Sequence, residues 1–184
     1  MPQNHPGIRK NWYFGDGFNC DDTTDSVYGQ DKIQFQLLYI PSDLTINRIG
    51  LEITVPCTEY DQQSAGSKAR LGLYTNDYTN AVPKDLILDA GEVPIDSTGW
   101  KEITVNSNLV PGWHWIAMVA QAQAGYRGKG PSEIDQYVTG APYPQAPAFA
   151  LETGYSYSPL PTAISENNIG YIEGTTVFLH VRRV

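Results

Sequence analysis

Thiols, imidazoles and cationic side chains are scarce in this chain: 184 residues hold 2 Cys, 3 His and 12 Lys plus Arg, against 20 Asp plus Glu, for a net charge of −8. So acidic a balance provides no cationic face that could release counterions from a polyanion, which leaves nucleic acid out as an expected partner. Cys20 and Cys57 are too few for a disulfide framework and too far apart for CxxC metal spacing, so two reduced thiols are expected. Long apolar runs are also missing. The best, 113–120, is broken by His114 and falls well short of the roughly 20 residues that span a bilayer, so no membrane partner is expected. Residues 1–17 lack the apolar stretch of a secretory signal, and synthesis in the cytoplasm without a signal peptide is the expectation. Charged residues make up only 17%, leaving little from which to build the Lys/Glu-rich faces of solvated helices, and helical periodicity is hard to find.

What is present is 41% hydrophobic residues with 17 Gly, 13 Pro and 12 Tyr. That is enough apolar mass for one domain with a core, under a surface of turns and hydroxyls, which is the profile of an all-β protein. From residue 33 onward short alternating or apolar runs are separated by turn clusters, the spacing of a sandwich or barrel. Strands are expected at 33–40, 46–55, 69–75, 86–93, 100–105, 113–121 and 175–183, with a weaker one at 149–153. The expected fold is an antiparallel, jelly-roll-like β-sandwich over 33–184, preceded by an extended N-terminal arm over 1–32. Period 2 directs Ile49, Leu51, Ile53, Leu71, Leu73, Ile103, Val105, Ile116, Met118, Val177, Leu179 and Val181 inward. Residues 125–161 carry six prolines, which cannot donate to a ladder, so this stretch is expected as a long surface excursion.

The residues that could carry chemistry are few. His5, His114 and His180 sit in no nucleophile setting and there is no GxSxG elbow, so structural roles are expected for all three. Glu52, Asp89, Glu92, Glu102 and Glu133 could pair as glycosidase acids, but solvated sheet faces and turn caps explain them more simply. The acids of 21–25 lack the alternation and closing Glu of a calcium loop, and the glycines of 125–130 lack Walker spacing. No catalytic residue, metal or cofactor is therefore expected. The aromatics say more, because Tyr and Trp offer large contact area with a polar handle. Tyr137 and Tyr143 fall in the Pro-rich excursion together with Tyr126, Tyr155 and Tyr157. With Arg127 and Lys129, four of these (Tyr126, Tyr143, Tyr155 and Tyr157) are the expected contacts to a partner or glycan. Trp113 and Trp115, at i and i+2 of a strong strand, are expected as core or sheet cover. Trp12, Tyr13 and Phe14 form an aromatic knot in a polar arm that cannot bury them alone, and are expected to be an interface.

The runs 69–74 (ARLGLY), 86–93 (LILDAGEV), 97–105 (STGWKEITV) and 109–117 (LVPGWHWIA) resemble a β-sandwich module of tailed-bacteriophage virion proteins, found in tail-fibre, head-fibre and capsid-decoration settings. The resemblance covers roughly 33–122 and departs from the usual Gly-Pro-type turn at Ala81-Val82-Pro83-Lys84. In it, Gly72 is expected to permit close approach of the two sheets. What the resemblance implies is a non-enzymatic virion structural protein, foremost a capsid cement or decoration protein that binds the outer shell. Its expected partners are the major capsid protein or other virion proteins, and a homo-oligomer such as a trimer. The alternative it implies is a carbohydrate- or host-receptor-binding fibre module acting in host adsorption.

Overall fold

A computed structural model describes residues 13–14, 24–28, 30–129, 150–171, 176–177 and 179–184, with the backbone alone at 13–14, 24–28, 129, 150–151, 168, 171 and 176. Among them are thirteen strands and short 3-10 turns, and no helix long and apolar enough to cross a membrane. The strands are β1 (Tyr13–Phe14), β2 (Thr24–Tyr28), β3 (Lys32–Ile40), β4 (Leu44–Val55), β5 (Lys68–Asp77), β6 (Val82–Pro94) and β7 (Gly99–Leu109). They continue with β8 (Gly112–Ala120), β9 (Ala124–Lys129), β10 (Ala150–Gly154), β11 (Gly170–Tyr171), β12 (Thr176–Val177) and β13 (His180–Arg183). They form two antiparallel sheets packed face to face as a β-sandwich.

Sheet A has seven strands and is organised around β4. Strand β7 lines one edge of β4, while β13 and then β9 share the other. The outer strands are β1 beside β13, and β2 and β12 beside β9. Two pieces of the segment expected as an extended arm are thus strands of sheet A. Pairing between residues so distant in sequence leaves no local signature, and β1 and β2 were invisible to a period-2 reading for that reason. Sheet B runs β11-β10-β3-β8-β5-β6.

The core lies between the sheets. All twelve residues expected to point inward do so, eleven of them buried and Ile103 partly buried against the same cluster. The phase of β4 resets once: a bulge between Ile46 and Arg48 turns Ile46 and Ile49 both inward, where strict alternation would oppose them. One polar bridge crosses this core. The Gln36 amide donates to Leu179 O at 3.2 Å and accepts from Leu179 N at 2.6 Å. Leu179 lies between β12 and β13, and the side-chain amide stands in for the ladder neighbour its backbone needs.

The central strands of sheet B, β3 and β8, carry apolar residues on both faces. In β3 and β8, Ile33, Phe35, Leu37, Trp115, Ala117 and Val119 point away from sheet A and form a second buried cluster. Such doubly covered strands read as near-continuous apolar runs, which is the pattern of 113–120. The cover is the strand-free stretch 155–169, which lays Tyr155, Tyr157, Leu160, Ile164 and Ile169 over this face. It is bonded along its length: Tyr74 Oη donates to Pro161 O at 2.8 Å, Leu86 N to Thr162 O at 2.9 Å and Ile164 N to Lys84 O at 2.8 Å. The distal part of the proline-rich stretch is therefore a packed third layer, and its first residues belong to β9. Gly72 takes a different role from the one expected. A Cβ there would collide with Leu160 Cδ1 and Leu88 O, so the glycine admits the strap and not the opposite sheet.

Candidate binding face on sheet A

The residues expected to touch a partner scatter. Tyr126 is fully buried among the inner residues of sheet A, opposite Ile53. The expectation of an exposed Tyr126 is corrected by strand geometry: β9 alternates, and its inward phase falls on Tyr126. Arg127 falls on the outward phase and pairs with Glu52, Nε to Oε2 at 3.2 Å. Tyr155 and Tyr157 spend their hydroxyls inside the chain, donating to Pro159 O at 2.6 Å and Glu92 Oε1 at 2.8 Å, so they belong to the strap. Lys129 ends β9, and only its backbone is described. Tyr143, Tyr137, Glu133, Trp12, His5 and Cys20 lie outside the described residues, as do Asp21 and Asp22. Tyr13 and Phe14 pair with Arg182 and Val181 along the edge of β13.

Trp113 and Trp115 fall where strand β8 was expected to put them. Trp115 is buried in the covered face with its indole N–H donated to Asn76 Oδ1 at 2.8 Å, and Trp113 is packed at the rim of that cluster. His114 points into the core with Nε2 2.9 Å from Val110 O. Cys57 is a buried free thiol that donates to Ser64 O at 3.2 Å, and burial pushes its pKa up, which keeps it unreactive. Asp89 and Glu92 both pair with Arg70, at 2.8 and 3.0 Å. Among the described residues no group of three or more His, Cys, Asp and Glu is placed to hold a metal ion.

The outer face of sheet A gathers a different set. The β4 to β7 register sets Trp100 opposite Glu52 and Glu102 opposite Gly50, and β13 sets His180 against the other side of Gly50. Glycine at position 50 makes this arrangement possible. A Cβ there would collide with Lys101 O and stand 3.0 Å from Glu102 Cγ and 3.1 Å from His180 Nε2. Without it, Glu102 and His180 reach toward each other over the middle strand to 3.6 Å, too long for a hydrogen bond. The Trp100 ring meets the imidazole edge-on, with centroids 4.8 Å apart and planes at 72°. Trp100 is 65% exposed while His180 is 9% exposed, so a supported indole is presented to solvent over a buried base. Burial lowers the His180 pKa against the opposing pull of Glu102 and Glu52, which keeps the imidazole neutral at physiological pH. The face thus offers one apolar ring beside the carboxylates of Glu52 and Glu102 and the guanidinium of Arg127. Trp100 was not singled out from the sequence, yet β7 carried its signal: with Ile103 and Val105 inward, period 2 directs Trp100 and Glu102 outward.

A second group of aromatics lies at the other end of β7. Tyr39 and Trp113 tilt against each other with centroids 4.7 Å apart. Tyr78 is 69% exposed and accepts from Trp113 N at 3.1 Å, over Gly112, whose φ of +128° and lack of Cβ both suit glycine.

No family model and no curated protein matches the chain. Among solved structures, it is similar to a clostridial cysteine protease, Cwp84, determined after propeptide cleavage, with a TM-score of 0.50 and 12% identity. The match covers 85% of this chain and 36% of that one, so the chain spans about a third of that protein's length. A likeness at this identity concerns the fold alone.

Proposed function

We propose that the protein is a non-enzymatic binding module that recognises a saccharide on the outer face of sheet A. The observation that carries this reading is Trp100, a large ring left in solvent and supported by His180 among hydrogen-bonding charged groups. Pyranose rings need that combination: their C–H faces stack on an aromatic plane while their hydroxyls exchange hydrogen bonds with carboxylates and guanidinium. Glu52 and Glu102 act as acceptors and not as an acid/base pair, since Glu52 is bound to Arg127 and Glu102 is turned to His180. Arrays of neutral oligosaccharides and bacterial surface polysaccharides test the reading. The wild-type protein should bind at least one class, and Trp100→Ala should weaken that binding at least about tenfold, the range of an aromatic anchor. No binding by the wild type, or undiminished binding by Trp100→Ala, would overturn it.

A second reading keeps the chain as a capsid cement or decoration protein. It draws on β1, whose two residues pair along the edge of β13. A pairing of two residues adds little to a sheet, and in this reading the segment that carries Trp12, Tyr13 and Phe14 grips a shell protein or a neighbouring subunit. Deleting residues 1–15 should then leave the sandwich folded and abolish incorporation into particles or oligomers. Normal assembly of the truncated protein removes this reading and leaves the saccharide one untouched.

A further inference from the structure

We propose that His180 is a positioning residue of the sheet A face and makes its saccharide binding pH-sensitive: when neutral it leaves Glu102 free to accept from a ligand hydroxyl, and when protonated it draws Glu102 away. This rests on the saccharide reading above and adds its regulation.

Three geometric facts support it. Glu102 Oε1 stands 3.6 Å from His180 Nε2, within salt-bridge range yet beyond hydrogen-bond range, so the pair is set to close when the ring gains a proton. Gly50 keeps the space between them open, since any larger residue would fill the gap that Glu102 must cross. Trp100 rests edge-on against the same imidazole, so one ring both supports the stacking platform and faces the acceptor.

The charged groups around His180 fix the direction. Glu102 faces it from β7 and Glu52 from β4, while Arg127 of β9 holds Glu52 in an ion pair and Arg182 follows on its own strand, donating to Asn47 Oδ1 at 2.9 Å. Glu52 is thus held by Arg127, and Glu102 is the carboxylate placed to answer a proton on the ring. Burial disfavours the imidazolium and places its formation below the ordinary histidine range. On protonation a charge-assisted hydrogen bond from the ring to Glu102 replaces the acceptor that a sugar hydroxyl would use. Binding therefore weakens as the pH falls.

The test combines two readouts on the full-length protein. Affinity for a panel of neutral glucose, galactose and N-acetylglucosamine oligosaccharides is measured from pH 7.5 to 5, alongside the ligand-free NMR titration of the His180 ring and the Glu102 carboxyl. Wild-type affinity should fall about fivefold to tenfold as the His180 ring takes up its proton, the loss of one hydrogen bond to a charged acceptor. The Glu102 carboxyl should shift with the His180 midpoint. His180→Gln should give a flat profile, and Glu102→Gln should do the same if the first variant does not fold. Binding that is independent of pH while His180 titrates would overturn the gate and leave the saccharide reading standing. Absence of binding at every pH would overturn both, and a Glu102 signal that ignores His180 would overturn the coupling on its own.

Discussion

The outer faces of the two sheets are built on opposite principles. Sheet B turns Phe35, Leu37, Trp115 and Val119 outward, and the chain spends the stretch 155–169 to cover them. Sheet A turns Trp100, Glu52, Glu102 and Arg127 outward, and these pair with one another and with His180 while Trp100 stays exposed. An apolar face that size could not remain in water, whereas one tryptophan among charged groups can. The cover therefore marks structure, and the uncovered ring marks the place where a ligand is expected.

The two tryptophans test that contrast most sharply, because they are the same residue on outward phases of the two sheets. Trp115→Ala should cost about 3–5 kcal/mol, since it empties a buried indole site and strands the Asn76 side chain it bonds. Trp100→Ala should change stability by less than about 0.5 kcal/mol while weakening the proposed saccharide binding at least about tenfold. Chemical denaturation of both variants decides it; similar costs at the two positions would erase the distinction. Between the sheets, Leu71→Ala or Leu179→Ala should cost roughly 2–5 kcal/mol through lost burial and a residual cavity. Less than about 1 kcal/mol at both sites would contradict the inward phase assigned to them.

A smaller effect probes the strap itself. Gly72→Ala pushes a methyl group toward Leu160 and the Leu88 carbonyl, and should cost about 1–3 kcal/mol as an overpacked contact. Gly72→Ala combined with Leu160→Ala should cost less than the sum of the two single changes, since each makes room the other needs. Strict additivity would mean that the strap does not rest on Gly72.

Much of this arrangement was legible as alternation. Ile49, Leu51 and Ile53, or Val177, Leu179 and Val181, announce an inward face because period 2 is a property of the backbone and survives any tertiary context. The strap was not legible, because Pro159 and Pro161 exclude ladder positions without saying whether the chain then lies in solvent or across an apolar face. The burial of Tyr126 is hidden for a related reason: its neighbours Gly125, Gly128 and Lys129 read as a loop, and only the pairing of β9 with β2 and β4 makes them a strand. The candidate site was half legible. In the sequence Glu52 and Glu102 stand out only as acids, and Trp100 only as the first residue of a strand. What joins them is register, Trp100 opposite Glu52 and Glu102 opposite Gly50, and register across long connections is not written in local pattern.

The smallest effect expected is the contribution of the sheet A face to acid stability. His180 titrates lower in the folded protein than its ordinary value of 6.5, because burial penalises the imidazolium more than Glu102 and Glu52 reward it. The unfolded chain therefore binds the proton first. Stability from this source is complete above pH 6.5 and declines as the pH falls through 6.5 toward the lower folded value. Glu92, whose carboxyl is held below its usual value of 4.5 by the Tyr157 hydroxyl and by Lys68 and Arg70, loses its contribution only at more acidic pH, so the two do not overlap in the upper window. Comparing unfolding free energies at pH 7.5 and 5.5 isolates the histidine. The wild type should be less stable at the lower pH, and His180→Gln should narrow the difference. If the variant keeps the full difference, the acid sensitivity arises elsewhere, and the uncovered face would then contribute nothing to stability that its single buried base could report.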